Sequence, residues 1–309
     1  MNYKDSVYSE STLYAFRKTL FTPILRPVSV MVIQTICYNF FIRQFIFAFL
    51  PGKIPVKKVD HPLDEKIPFV PSWVTIYIDF TQFWIRVISF YIRRYGRKVL
   101  IPIRDFIASM GRLYVYAAEV YFKILSTTKR PFYIARPRFL MIHLVDPHLF
   151  CIPSLHVMVV IHTYTMFSFI ARKLGIEEKL KNQVQEMKKG ALAISQAIFF
   201  VKQHSINCIP AALYAMTNFS SGLFPKEEAE NFIKELFSPA PSRGDVPTKC
   251  LVHPCASPST RIAINDQELI KRHILSLYNQ FMEERKISKS WEEPIINFLK
   301  KMPNASGKK

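Results

Sequence analysis

Apolar residues fall in blocks that alternate with polar and basic segments along the chain. The blocks approach the roughly 20 apolar residues that a helix needs to cross a bilayer core. We predict spans at 28–50, 72–92, 105–125, 153–171, 190–203 and 206–223. The pattern therefore predicts an all-α fold, a polytopic membrane helical bundle of about six transmembrane helices.

Charged residues interrupt the second and third of these spans. They are Asp79, Arg86, Arg112, Glu119 and Lys123. A charge in mid-bilayer costs a few kcal/mol, so we expect such residues to face the bundle interior or to reach toward the interface. They would also suit a transporter or channel, but no paired inverted repeat is visible, which favours pairing between helices.

Basic loops give the bundle an orientation. The segments 93–104 and 172–189 are rich in Lys and Arg, and short loops of this kind stay in the cytoplasm. Both termini then lie inside, with 1–27 as an N-terminal cytoplasmic segment and no cleaved signal peptide. The loops after the first, third and fifth spans face outward.

The chain changes character after the transmembrane domain, which we place at 28–223. Residues 226–237, 266–285 and 291–301 show helical spacing with charged faces, and 238–260 is rich in Pro and Ser. We therefore predict a small helical cytoplasmic tail over 224–309. It could lie on the membrane surface or pack as a cap.

The chain is strongly basic, with 42 Lys and Arg against 23 Asp and Glu, a formal charge of +19. Such a balance indicates an anionic partner. Because the basic residues cluster between apolar blocks, we expect a lipid and a membrane rather than nucleic acid. Five cysteines without regular spacing predict no disulfide framework. Cys250, His253 and Cys255 lack a second ligand pair, so we predict no metal and no cofactor.

Three short stretches at outward-facing span ends carry residue types suited to phosphate chemistry. Arginine and lysine recognise phosphate oxygens, and a helix N-terminus attracts an oxyanion. Histidine can donate a proton to a leaving oxygen or attack phosphorus. In chain order the candidates are Lys129, Arg136, Ser154, His156, Lys202 and His204.

Together the three stretches resemble the type 2 phosphatidic acid phosphatase superfamily, whose pattern is K-x6-RP, then PSGH, then SR-x5-H-x3-D. The first motif is matched in full over 129–137. The second is matched at 153–156, with Leu155 in place of glycine, as in a branch that includes inositol-phosphoceramide-synthase-like proteins. In the third motif His204 is the clear match. The resemblance covers roughly 67–216.

The resemblance implies a six-helix membrane bundle that needs no metal. It makes His204 the nucleophile that forms a phosphohistidine and His156 the acid that protonates the leaving alcohol. Neutralising charge on the phosphoryl oxygens is the main demand of this chemistry. The side chains expected to hold those oxygens are Lys129, Arg136, Ser154 and Lys202.

Two positions depart from the family pattern. Its third-motif arginine falls at Ile198, which cannot bind phosphate, and Lys202 is the candidate replacement. Its aspartate, which orients the nucleophile, falls at Cys208. Losing such a carboxylate can cost several orders of magnitude in rate. Asp146 could stand in if the fold brings it close.

The sequence thus predicts an integral-membrane lipid phosphatase that acts on a phosphatidate-like or prenyl-diphosphate-like substrate. A head-group phosphotransferase would use the same residues, with a lipid hydroxyl replacing water. A catalytically impaired lipid-binding member is the third possibility, motivated by Ile198 and Cys208.

Overall fold

The computed structural model describes residues 5–50, 54–237 and 262–305. These residues are mostly helical, which confirms the all-α prediction. Two short strands, β1 (Val56–Lys58) and β2 (Leu125–Thr127), pair in parallel. The helices are α1 (Thr12–Phe21), α2 (Arg26–Ile36), α3 (Arg43–Phe49), α4 (Val74–Ile78), α5 (Phe80–Tyr95), α6 (Leu100–Tyr121), α7 (Pro137–Val145), α8 (Leu155–Lys173), α9 (Lys181–Phe200), α10 (Cys208–Phe219), α11 (Lys226–Glu235), α12 (Ile264–Arg285) and α13 (Glu293–Lys301).

Each of the six predicted span regions contains helix, but the regions differ in how well they suit a membrane. Among the described residues, two helices are long and apolar enough to cross one. Arg26–Phe49, formed by α2, a π-helical stretch and α3, has 24 residues, a mean hydropathy of 1.4 and an apolar window only 11% buried. α8 has 19 residues and a window 83% buried. The six-span topology therefore stays a prediction.

Helix α8 is the centre of the bundle. It packs against α5, α6, α9 and α10, and the run 157–161 has no exposed surface. A helix that is apolar on every side is typical of a buried core position. The N-terminal end of this helix, with Ser154 and His156, is therefore held by packing on several sides.

Four of the five charges within the predicted spans have partners among the described residues, including Lys123, whose Nζ lies 2.7 Å from Glu292 Oε1. Arg86 Nη1 lies 2.8 Å from Asp79 Oδ2, both within the α4–α5 stretch, so this pair forms along one stretch and not between helices as expected. Glu119 accepts a hydrogen bond from the Trp291 indole, with 2.6 Å between Nε1 and Oε2. Arg112 lies on an exposed face of α6.

The tail helices form where the sequence predicts them, and they pack along the side of the bundle instead of capping one end. His273 Nε2 lies 2.8 Å from Asn207 Oδ1, and Arg285 Nε lies 3.3 Å from Asn218 Oδ1. Helix α12 thus follows α10 from one end to the other. Its outer face carries exposed charged residues such as Arg272, and its inner face covers α10 on this side.

The end of the described tail joins the small sheet. The Lys58 N–H donates to the Pro303 carbonyl over 2.9 Å, and the Ala305 N–H donates to the Val56 carbonyl over 2.8 Å. This pairing holds β1 on one side, while β1 pairs on its other side with β2, from which the chain continues toward the predicted site.

Candidate active site

A small pocket lies where the N-terminus of α8, the segment 146–151 and the turn after α9 meet. The structure brings His156 and His204 together there, with ring centroids 5.3 Å apart. Residues far apart in sequence thus form one site, as the motif order predicts. The pocket is lined by Phe40, Asp146, His148, Phe150, Cys151, Leu155, His156 and His204.

His156 lies in the first turn of α8 and is held between two aromatic rings. Its ring stacks on Tyr77 at 4.4 Å between centroids and tilts against Phe80 at 4.1 Å. Both partners come from the α4–α5 stretch, which packs on α8. A histidine confined in this way is pre-oriented toward the pocket, with 8% of its surface exposed.

His204 lies in the turn between α9 and α10, where its backbone N–H donates to the Ile198 carbonyl over 3.3 Å. Burial, together with the nearby His156 and His148, lowers the pKa of His204 well below its usual value. At neutral pH the imidazole is therefore uncharged and keeps a lone pair. Its Nδ1 has no hydrogen-bond partner among the residues that the structure describes.

The two departures from the family pattern leave visible consequences. Ile198 contributes to the turn that carries His204 through its backbone. Its carbonyl accepts hydrogen bonds from the N–H groups of Gln203 and His204 over 3.0 and 3.3 Å. Cys208 is fully buried at the start of α10 and forms no hydrogen bond with His204 Nδ1. The orienting carboxylate of the family pattern is therefore not replaced at this position.

The fold does bring Asp146 to the pocket, although its carboxylate acts on His148. The His148 N–H donates to Asp146 Oδ1 over 2.8 Å, and Nδ1 lies 3.8 Å from Oδ2. Burial alone would raise the pKa of Asp146, but hydrogen bonding to His148 and the charges of His148 and Arg130 lower it. His148 in turn lies 6.3 Å from His204 between ring centroids.

His148 is a pocket residue that the motif pattern did not reveal. Its backbone φ is 64°, a left-handed conformation that is uncommon outside glycine and often marks functional sites. Thr128 Oγ1 lies 2.9 Å from its Nε2 and fixes the ring from the opposite side to Asp146. The Asp-x-His spacing at 146–148 was the available sequence signal.

Ser154 precedes α8 and has an unusual hydroxyl. Its side chain is fully buried, yet Oγ has no partner within the described part of the chain and does not cap the helix. An unsatisfied buried hydroxyl costs about 1–3 kcal/mol. A serine left in this state beside free helix N–H groups is suited to donate to an anion in the pocket.

The three predicted cations lie elsewhere. Lys129 is exposed, and its backbone N–H donates to Asp60 Oδ1 over 2.7 Å. Arg136 is exposed immediately before α7. Lys202 Nζ donates to the backbone carbonyl of Asp64. None of the three lines the pocket, so the expected cluster of cations around phosphate is not present in the structure.

Arg130 is the basic residue that sequence reasoning missed. Its side chain is 18% exposed. Nη2 donates to the Asp146 carbonyl over 3.0 Å, and Nη1 donates to Gln203 Oε1 over 3.3 Å. It thus joins the segment that carries His148 to the turn that carries His204.

The chain has no significant match to a protein-family model, to a curated protein or to a solved structure. Within 5–50, 54–237 and 262–305, no group of three His, Cys, Asp or Glu side chains is arranged to hold a metal ion. Cys250, His253 and Cys255 lie outside the described residues.

Proposed function

We propose that the chain is a membrane-associated lipid phosphatase that works through a phosphohistidine at His204. The observation that carries this proposal is the pair of buried histidines, 5.3 Å apart between centroids, at the N-terminus of a core helix. The unpartnered Ser154 hydroxyl in the same helix turn supports it. The chemistry needs a neutral nucleophile, an acid and donors for the phosphoryl oxygens.

In the first step, a neutral nitrogen of His204 attacks phosphorus. The P–N bond forms while the bond from phosphorus to the lipid oxygen breaks. His156, which takes up a proton from solvent when the anionic phosphate binds beside it, gives that proton to the leaving oxygen. Ser154 Oγ and the free N–H groups of the α8 N-terminus donate to the phosphoryl oxygens. The lowered pKa of His204 keeps the attacking imidazole unprotonated.

In the second step, water attacks the phosphohistidine. His156, now neutral, accepts a proton from the water as the P–N bond breaks. Inorganic phosphate leaves, and both histidines return to their starting states. The aromatic rings of Tyr77 and Phe80 hold His156 in one orientation through both proton transfers.

An exposed apolar helix beside the pocket supports a lipid as substrate. Phe40 of the Arg26–Phe49 stretch lines the pocket, and Gln44 Oε1 accepts the Leu149 N–H over 2.8 Å. A long helical stretch whose apolar side chains are mostly exposed is typical of a membrane contact. Its exposed large side chains are Val30, Met31, Ile33, Tyr38, Ile42, Ile46, Phe49 and Leu50.

The proposed activity requires membrane contact through Arg26–Phe49 but does not depend on all six spans. We retain, as proposals from the sequence, an active site on the non-cytoplasmic face and an N-terminus in the cytoplasm. A cytoplasmic C-terminus does not fit with that site, because residues 303–305 pair with β1, and its partner strand β2 adjoins Phe150 of the pocket wall. Accessibility labelling of single cysteines placed at exposed Lys129 and Arg172, which the prediction puts on opposite sides, tests that orientation.

A head-group phosphotransferase is the second candidate function. Leu155 stands where the family has glycine, and with Phe40 and Phe150 it gives the pocket apolar walls. Such walls would suit a lipid alcohol that takes the place of water in the second step. The lipid-binding alternative would leave His204 and His156 without chemistry.

The test is metal-free release of phosphate from phosphatidic acid and a prenyl diphosphate by the full chain in detergent. His204→Asn removes the nucleophile. His143→Asn is the matched control, because His143 lies on α7 outside the pocket. We expect release by wild type and by the control, and none by His204→Asn.

Equal release by His204→Asn would overturn the phosphohistidine mechanism. If wild type releases no phosphate, transfer of labelled head group to a lipid alcohol decides between the two enzymatic functions and the lipid-binding one. Transfer that depends on His204 would establish the phosphotransferase. Its absence would leave lipid binding.

A further inference from the structure

The proposed active site lacks an obvious guanidinium for phosphate. Ile198 stands where the family pattern has arginine, and its side chain is fully buried. Lys129 and Arg136 are exposed, and Lys202 is occupied by the Asp64 carbonyl. Phosphoryl transfer nevertheless requires charge neutralisation at the equatorial oxygens.

Arg130 does not itself line the pocket, but it bonds to two of the segments that form it. Its guanidinium bonds to the Asp146 carbonyl and to Gln203, the residue directly before His204. Both contacts are made to residues that form or adjoin the pocket, since Asp146 lines it and Gln203 precedes His204.

The guanidinium also has donors to spare. Arginine carries five N–H groups in a rigid fork. In the described part of the chain, the bonds to Asp146 and Gln203 use one donor on each terminal nitrogen. The Asp146 carboxylate is 4.0 Å away at Oδ2, and its Oδ1 accepts the His148 N–H. Arg130 is thus oriented by two neutral acceptors and one carboxylate, and its remaining N–H groups are able to bind an anion.

We propose that Arg130, in the segment between β2 and α7, is the phosphate-binding guanidinium of this site. It would take the role of the family arginine whose position is occupied here by Ile198. This inference rests on the proposed function. Arg130 is not one of the residues of the family pattern. Forked guanidinium groups bind phosphate through two parallel hydrogen bonds, which a lysine cannot reproduce.

Arg130 could instead be a purely structural link between the segments at 146 and 203. The two roles predict different results for Arg130→Lys. If Arg130 is only a structural link, any variant that folds should bind phosphate with wild-type affinity. A binding residue changes the affinity for phosphate even when the variant folds as wild type does.

The experiment measures binding of inorganic phosphate to the full chain in detergent, by calorimetry, for wild type, Arg130→Ala and Arg130→Lys. Arg138→Ala is the matched control, since Arg138 is exposed and its side chain bonds to Thr75. Thermal unfolding shows whether each variant is folded. We expect about a 10- to 100-fold loss of affinity in Arg130→Ala and a smaller loss in Arg130→Lys, as for a charge-assisted, two-point contact.

Wild-type affinity in folded Arg130→Ala would overturn the inference, even if the enzyme hydrolyses lipid phosphate. If that variant does not fold, wild-type affinity in Arg130→Lys overturns it. A wild-type chain that binds no phosphate overturns it as well. Binding that depends on Arg130 without any phosphate release would support the inference while refuting the phosphatase function.

Discussion

Ser154→Ala separates binding from folding more cleanly than any other substitution in the site. The Ser154 side chain is fully buried, and its Oγ has no hydrogen-bond partner within the described residues. Alanine therefore removes no contact that stabilises the folded chain. It does remove the donor that we assign to the phosphoryl group.

The two effects have different expected sizes. Removing an unsatisfied buried hydroxyl should leave the free energy of unfolding unchanged or raise it by up to about 1 kcal/mol. Losing a hydrogen bond to a charged phosphoryl group costs about 1.5–3 kcal/mol. At 1.36 kcal/mol per factor of ten, this loss lowers kcat/KM roughly 10- to 150-fold.

The assay pairs kcat/KM for metal-free phosphate release with denaturant unfolding. Ser195→Ala is the matched control, because Ser195 is also fully buried with an unpartnered Oγ but lies within α9 and not at the N-terminus of α8. We expect both variants to be as stable as wild type and only Ser154→Ala to lose activity. Lower stability with unchanged kcat/KM in Ser154→Ala would refute the assigned role.

Three further predictions concern packing and pH. In Gly190→Ala the new Cβ would lie 2.7 Å from a ring carbon of buried Phe83, so denaturant unfolding should show a loss of about 1–3 kcal/mol. Burial and a neighbouring histidine lower the pKa of His273 to about 4 in the folded chain. Between pH 6.5 and 4 the unfolded chain therefore binds more protons, and the melting temperature should fall as the pH drops through this range. His273→Gln, which can still bond to Asn207, should make the melting temperature depend less on pH. Trp291→Ala removes a ring 3.7 Å from that of a tyrosine on α6 and should speed proteolysis within α13, whereas an unchanged rate would show that α13 docks without it.

The positions of most helices could be predicted from the sequence because hydropathy and helical period are local properties, although α1 and α7 were not predicted. All six predicted span regions contain helix, and the tail helices begin and end within a few residues of their predicted bounds. Whether a helix faces lipid depends on its neighbours. The windows of α8 and Arg26–Phe49 have similar hydropathy, yet they are 83% and 11% buried.

The site was predictable where spacing alone determines it. His156 and His204 meet as the motif order requires. The choice of cation was not predictable, because Lys129 and Arg130 are neighbours in a segment without helix, where successive side chains point to different sides. Lys202 has a φ of 52°, and its amine donates to the Asp64 carbonyl instead of pointing into the pocket. The type of residue at position 202 does not reveal this conformation.

The attachment of the tail bears on how the chain can be assembled. Residues 303–305 pair with 56–58, and α12 covers α10 along its length. Contacts that distant in sequence form late, after a large entropic cost of closing the intervening loop. During synthesis, the apolar surface of α10 therefore stays uncovered until α12 has left the ribosome. That interval is when the nascent chain most needs a chaperone or the lipid bilayer to keep it from aggregating.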